Sequence, residues 1–283
     1  MKKIDAHAHI GDFGSWAGVD GSPEQLIAFM DEYEIEQTVL CAKDHTGNEG
    51  VAEAAARYPG RFIPLVYLNP LEGADICREK VETYVDGKGF RGIKMNPLRH
   101  AFVADDTAVD PVMEMARSRH LPVFIHSGHP PYSLPWSIAL LAERFPEVKT
   151  VMIHMGHGHG VYIDAALKMA KRFPNIYLEM SGMPMGVKIR QAYEEVGHDR
   201  IMFGTDYPFH HRWRSRRSLP ADWTKPPCRM CSTTTQKSCS ANKNSSALGC
   251  VCAANAFECA LPRDCCSGVK SATTARLTHE RSS

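Results

Sequence analysis

Near its start the chain reads Ile4-Asp5-Ala6-His7-Ala8-His9-Ile10, a short apolar run that carries two histidines separated by one residue. Side chains alternate between the two faces of a β-strand, so His7 and His9 are expected to share one face and Ala6 and Ala8 the other, toward flanking helices. Two imidazoles on one face suit a borderline divalent metal such as zinc. Taken alone, the motif is more typical of two exposed or hydrogen-bonded histidines than of a metal site.

Seven further apolar runs follow along the chain, each rich in Val, Ile, Leu, Phe or Met. They occupy residues 38–42, 62–68, 92–95, 122–126, 150–154, 176–180 and 201–206. Most of them lack the polar–apolar alternation of a half-exposed strand. This pattern indicates strands buried on both faces, as in parallel sheets.

Helical segments lie between these runs. The residues Ser22-Pro23-Glu24-Gln25 predict an N-cap serine, a proline in the first turn and a capping-box glutamine. Six more segments are predicted at 51–58, 74–84, 111–119, 137–145, 162–173 and 187–196. The alternation of strand and helix predicts an α/β fold, a (β/α)₈ TIM barrel that lacks a proper final helix. A doubly wound sheet is the alternative, but no glycine-rich dinucleotide loop follows the first run.

Polar residues stand at or near the ends of four later runs: Lys94, His126, His154 and Asp206. In a barrel the carboxyl ends of the strands converge on the face that holds the active site, so these side chains should meet His7 there. Each also has a plainer interpretation. His126 and His154 are typical of core histidines bonded to a carbonyl, Asp206 of a turn or helix cap, and Lys94 of a lysine paired with a carboxylate.

A loop that follows the sixth run, Met155-Gly156-His157-Gly158-His159-Gly160, contributes two more histidines. Loops at the mouth of a site often carry substrate-contacting or merely solvated histidines. We therefore expect His157 and His159 to be peripheral to any metal site.

Together these motifs resemble the amidohydrolase superfamily. The phrases Gly92-Ile93-Lys94, Ile125-His126-Ser127-Gly128 and Phe203-Gly204-Thr205-Asp206-Tyr207-Pro208 are similar to its amidohydrolase-related (amidohydrolase 2) branch. That branch includes aminocarboxymuconate-semialdehyde decarboxylase and related decarboxylases, hydratases and lactonases. The resemblance covers residues 1 to about 211.

The resemblance implies a set of roles for the site residues. His7, His9, His126 and Asp206 would bind one divalent metal ion, Zn²⁺ first and Mn²⁺ as the alternative. His154 and Asp206 would be catalytic, and Lys94 would bind substrate. Lys94 also stands near the position where binuclear members carry a carboxylated lysine.

Two reactions fit these parts. A metal-activated water that attacks a small amide, ester or lactone would make the protein a hydrolase, which is the leading expectation. Non-oxidative decarboxylation or hydration of a small carboxylic acid at the same site is the alternative. A third hypothesis, from another class, is an inactive or unstable metal-binding barrel.

Composition excludes several other classes. The chain has 283 residues, 43% apolar and 23% charged, with a formal net charge of +1. No apolar run is long enough for a membrane span, and the start of the chain lacks the apolar region of a signal peptide. We expect a cytoplasmic enzyme with a small-molecule substrate, no nucleic-acid or membrane partner, and a homodimer as the candidate assembly.

The C-terminal part of the sequence has a different character. Residues 212–283 hold 12 Lys and Arg against 4 Asp and Glu, and eight of the ten cysteines. A zinc or disulfide module is one interpretation, although the Cys spacings form no second regular pair after Cys228 and Cys231. A frameshift is the other, since codons for residues 222–239 read one nucleotide earlier permit a helix-forming string. The predicted division is therefore a barrel at 1–211 and a low-order tail at 212–283.

Overall fold

The computed structural model of the chain describes residues 3–14 and 18–209. The predicted division at residue 211, the frameshifted tail and the expected lack of a final helix all concern residues outside this part. They therefore remain predictions.

Nine strand segments run parallel to one another. They are β1 Lys3–Ile10, β2 Ile35–Ala42, β3 Phe62–Pro64, β4 Val66–Tyr67, β5 Ile93–Met95, β6 Val123–His126, β7 Thr150–Ile153, β8 Ile176–Glu179 and β9 Ile201–Met202. The order is β1-β2-β3 in one sheet and β4 to β9 in sequence in the other. β3 and β4 are two parts of one predicted run, and Leu65 between them donates from its N–H to the carbonyl of Leu40 at 2.8 Å.

The two sheets close into one barrel. Ala8 of β1 forms a parallel bridge with Tyr207, beyond β9. The N–H of Ala6 donates to the carbonyl of Phe203 at 2.7 Å, and the N–H of His9 to the carbonyl of Tyr207 at 2.7 Å. The predicted TIM barrel is confirmed, and the doubly wound sheet is wrong.

Eight α-helices alternate with the strands in the described part of the chain. They are α1 Pro23–Glu32, α2 Asn48–Arg57, α3 Ala74–Val81, α4 Pro97–His100, α5 Asp110–Ser118, α6 Pro135–Arg144, α7 Gly160–Arg172 and α8 Gly186–Glu195. The predicted cap of α1 is present, because the hydroxyl of Ser22 accepts from the N–H of Gln25 at 3.4 Å. A π-helical segment, Glu82–Asp86, extends α3. The short α4 was not predicted.

Two apolar layers pack against the strands, one outside the barrel and one inside it. The larger layer lies between strands and helices and includes Ala8, Ile93 and Ile125. The smaller layer fills the barrel and is formed by Ala6, Val39, Cys41, Leu65, Phe124, Val151, Ile153 and Met202. Since these side chains come from strands all around the barrel, they meet only in its interior.

The expected orientation of Ala6 is wrong, because it lies in the interior layer, whereas Ala8 packs outside as predicted. The cause is an irregularity in β1. Asp5 is opposite Thr38 of β2 while Ala8 is opposite Leu40, so β1 has one extra residue in this interval. Such a bulge breaks the strict alternation of side chains.

None of the described helices combines the length and the apolar character that crossing a membrane would require.

Candidate metal centre

The first and last strands of the barrel bring three of the predicted ligands together. Nε2 of His7 lies 3.2 Å from Nε2 of His9 and 3.3 Å from Oδ1 of Asp206. Nε2 of His9 lies 3.5 Å from the same carboxylate oxygen. The backbone fixes this arrangement, because the N–H of Asp206 donates to the carbonyl of His7 at 2.8 Å. All three side chains are buried.

His154 follows β7 and joins this cluster from the other side. Its Nε2 lies 4.0 Å from Oδ2 of Asp206, and its ring centroid is 5.5 Å from that of His7. His7, His154 and Asp206 each have one potential ligand atom within 4.8 Å of the other two.

His126, at the end of β6, lies beside His154 and further from Asp206. Its ring centroid is 4.9 Å from that of His154, and its Nε2 is 3.0 Å from Nδ1 of His129. It groups with His154 and His157 as a set of potential ligands, separately from the set that contains Asp206. The sequence correctly predicts that His126 reaches this face, and its place among the ligands of one ion stays a prediction.

The orientation of His9 is set by strand β2. Nδ1 of His9 lies 3.0 Å from the carbonyl oxygen of Ala42 and 3.3 Å from Sγ of Cys41. Since a carbonyl can only accept, Nδ1 carries the proton and donates it there. Nε2 faces His7 and Asp206, and once this nitrogen gives up its proton to a binding ion, its lone pair points there as a metal ligand requires.

Burial controls the charge of these histidines. It lowers the pKa of His126 and of His154 well below the ordinary value, and the other charged groups at the barrel mouth, Lys94 among them, lower the pKa of His126 further. Both rings are therefore neutral near pH 7 and offer lone pairs. At His9 burial also opposes charge, but Cys41 and Asp206 outweigh it and raise the pKa to about 10, so this position favours a positive charge.

Lys94 extends from β5 into the barrel interior and is buried. Burial lowers the pKa of its ammonium group, and the opposing influence of Cys41, Asp206 and Glu179 acts to raise it. Lys94 thus lies among the acidic groups of the site, which oppose the effect of its burial, and its contact with substrate stays a prediction.

Glu179 at the end of β8 is a site residue that our sequence reasoning missed. Its side chain is fully buried and lies 4.0 Å from Nδ1 of His154. A detectable signal was present, because Glu179 is the one charged residue in the apolar run 176–180 and stands next to its end. His129 was also missed, and His157, expected to be peripheral, stacks on His154 with ring centroids 4.4 Å apart. His159 is exposed, as expected.

These residues fit a divalent cation. Neutral imidazoles and one carboxylate are donors that zinc, manganese and related ions accept in proteins. Nδ1 of buried His7 has no hydrogen-bond partner among the described residues, and a buried ring nitrogen without a partner is one that a bound ion can satisfy. The acidic groups that surround His9 favour positive charge at this point.

A closed parallel barrel with such a cluster at the carboxyl ends of its strands defines a metal-dependent (β/α)₈ enzyme. The family model described as Amidohydrolase matches residues 4–227. The chain belongs to this family, and the predicted superfamily resemblance is confirmed. It is accordingly a hydrolase or a carbon–carbon lyase of the amidohydrolase superfamily.

Curated relatives are γ-resorcylate decarboxylases. The protein from Polaromonas sp. (strain JS666) is 23% identical over 251 residues, which cover 66% of this chain and 77% of the relative. The protein from Rhizobium sp. (strain MTP-10005) is 25% identical over 211 residues, with 57% of this chain and 64% of the relative covered. The chain thus spans a little under two thirds of the Rhizobium protein.

A solved structure supports the fold. The dihydroxybenzoic acid decarboxylase of Polaromonas sp. JS666, with bound manganese and the inhibitor 2-nitroresorcinol, superposes with a TM-score of 0.57 at 21% identity. The match covers 74% of this chain and 87% of that one.

Proposed function

We propose that the protein is a non-oxidative decarboxylase of a small hydroxylated aromatic acid. We favour decarboxylation over hydrolysis because both curated relatives described above are named γ-resorcylate decarboxylases. Hydrolysis, the leading expectation from the sequence, becomes the second candidate. The buried cluster of His7, His154 and Asp206 supports either reaction.

The cofactor in this proposal is one divalent cation held by His7, His9, His126 and Asp206. When bound, it would neutralise the carboxylate and phenolate charge of the substrate. Zinc matches the imidazole-rich donor set, whereas manganese is the ion in the Polaromonas structure. Metal analysis of protein expressed without added metal would decide between them.

Decarboxylation breaks the bond between the ring and the carboxyl carbon and forms a C–H bond at the same ring carbon. The electron pair of the broken bond takes up a proton, and CO₂ leaves. We infer that Asp206 supplies this proton, since its Oδ2 faces His154 at 4.0 Å. Nε2 of His154 can orient the protonated carboxyl group of Asp206. After the transfer, it can pass a proton from solvent back to Asp206.

Lys94 has a binding role in this proposal. A buried ammonium group lacks water, so an anionic substrate is a strongly favoured partner for it. Burial lowers the pKa of Lys94, and the acidic groups around it, Cys41, Asp206 and Glu179, oppose this change. The homodimer, the cytoplasmic location and the absence of nucleic-acid and membrane partners remain predictions.

A substrate panel tests the proposal. Protein reloaded with Mn²⁺ or Zn²⁺ should release CO₂ from γ-resorcylate or another dihydroxybenzoate and should leave an aryl ester, a lactone and an anilide intact. Product formed in D₂O should carry deuterium at the former carboxyl position. Hydrolysis of the second group without CO₂ release would establish the second candidate instead. No turnover of either group by metal-loaded protein would support the inactive barrel.

A further inference from the structure

We propose that Glu179 is a positioning residue that acts through Ser181 to hold His154 with its proton on Nδ1 and its lone pair on Nε2. The catalytic consequence of this arrangement rests on the function proposed above. The arrangement itself concerns only hydrogen bonds and can be measured without turnover.

Three donors surround the Glu179 carboxylate. Oε1 accepts from the N–H of Ser181 at 2.5 Å. Oε2 accepts from the hydroxyl of Ser181 at 2.7 Å and from the N–H of His154 at 3.2 Å. A carboxylate only accepts, so these three donors satisfy it in the buried interior and fix its plane.

The hydroxyl of Ser181 transmits this constraint to the imidazole. Its single hydrogen points to Glu179, so toward His154 it can only accept. Nδ1 of His154 lies 2.9 Å from this hydroxyl oxygen and 2.9 Å from the carbonyl oxygen of Ser181. Both neighbours of Nδ1 are acceptors. The proton therefore resides on Nδ1, and Nε2 faces Asp206 as an acceptor.

The segment after strand β9 leaves the space that the carboxylate occupies. A Cβ atom at position 204 would lie 2.1 Å from Oε1 of Glu179 and 2.9 Å from its carboxyl carbon. Glycine at this position is thus required by Glu179. The same segment carries Asp206, so the two carboxylates that act on His154 are positioned against each other.

Replacing Glu179 by glutamine inverts the hydrogen-bond pattern with little change in shape. The carboxamide oxygen can accept from the N–H of Ser181. Its NH₂ group then faces the serine hydroxyl as a donor and also meets the N–H of His154, which loses its acceptor. The hydroxyl hydrogen is released and turns toward His154, where it favours a proton on Nε2 in place of Nδ1.

The test is ¹⁵N NMR of imidazole nitrogens in the Zn²⁺-loaded, full-length protein, with His154 assigned by its loss in His154→Gln. The unchanged protein should show Nδ1–H, and E179Q should show a raised Nε2–H population, limited by the Ser181 carbonyl that still accepts from Nδ1. With a substrate in hand, kcat of E179Q should fall about 10- to 100-fold while KM changes little. Exposed Glu143 on α6 supplies the matched control, since Glu143→Gln should alter neither readout.

A second variant tests the route through the serine. S181A removes the hydroxyl but keeps the carbonyl, so a smaller effect is expected, and adding E179Q to S181A should cause little further change. An unaltered Nδ1–H signal in E179Q, or fully additive effects in the double variant, would overturn the proposal. A tautomer change in a protein that decarboxylates nothing would refute the proposed function and leave this inference standing.

Discussion

Asp5 and Thr205 stand 200 positions apart in the sequence, yet the Thr205 hydroxyl donates a 2.6 Å hydrogen bond to the Asp5 carboxylate. The same carboxylate accepts from the N–H of Thr205 at 2.9 Å and from the N–H of His7 at 3.1 Å. It joins the segment that carries the β1 histidines to the segment that carries Asp206. Burial raises the pKa of Asp5 to about 6, so the carboxylate depends on these donors.

Thr205→Val should destabilise the protein. The substitution keeps the shape of the side chain but leaves a fully buried carboxylate with one donor fewer, which costs on the order of 1–3 kcal/mol. Urea unfolding at about pH 7, followed by circular dichroism, gives the free energy of unfolding. We also expect weaker metal binding, because His7 and Asp206 lose a shared support.

Thr150 offers a matched control on β7. It is also fully buried, but its hydroxyl has no hydrogen-bond partner within the described part of the chain. Thr150→Val therefore removes an unsatisfied polar group and should leave stability unchanged or increase it. Equal destabilisation by the two substitutions would show that the bond to Asp5 is not the cause.

His9→Ala should abolish tight metal binding. It removes one of the three side chains that converge within 3.5 Å at the closure of the barrel. Elemental analysis after gel filtration should show a loss of stoichiometric metal, whereas the unchanged protein retains it. His159→Ser is the control, since His159 is exposed and the serine can still cap α7. Stoichiometric metal in both variants would contradict the site.

Lys94→Met should weaken substrate binding and leave the stability of the fold nearly unchanged. Removing the ammonium group raises KM for an anionic substrate by about 10- to 100-fold, a loss of roughly 1.4–2.7 kcal/mol. The thioether chain fills similar volume, and the cost of burying a charge is relieved, so the free energy of unfolding should fall little. Steady-state kinetics and urea unfolding check the two halves. Loss of folding with unchanged KM would assign Lys94 a purely structural role.

His100 should contribute to the loss of stability in acid. Burial, assisted by His45 and Arg99, lowers its pKa from 6.5 to about 4. Between these values the unfolded chain binds a proton that folded His100 does not, so lowering the pH favours unfolding. His100→Gln should therefore lose less stability than the unchanged protein between about pH 7 and about pH 5.

Urea midpoints at the two pH values measure this difference. His120→Gln is the control because His120 is exposed, and it should follow the unchanged protein. Parallel pH dependence in all three proteins would show that His100 is protonated alike in both states.

The sequence was sufficient for the barrel because its signals are local. The eight apolar runs and the helical segments between them are recognised by short-range periodicity. Each of them corresponds to a strand or a helix of the structure. The site residues at strand ends were predicted from the same pattern plus the geometry of a barrel. His7, His9 and Asp206 indeed converge.

Other features depend on three-dimensional contacts that no short pattern encodes. The bulge that turns Ala6 inward arises from the register between β1 and β2. The pairing of His126 with His129 depends on the path of the loop after β6. Glu179 is a different case. Its position in the sequence marks it as a polar residue in a buried strand, but only the structure shows that its carboxylate lies against Gly204.

The closure between β1 and the chain beyond β9 has a consequence for exchange kinetics. The amide hydrogens of Ala6, His9 and Asp206 are all bonded across this seam. An ion held by His7, His9 and Asp206 would bind only the closed form, so by mass action it would suppress opening as its free concentration rises above its Kd. Hydrogen exchange at these three amides should slow as metal is added, and a chelator should restore it.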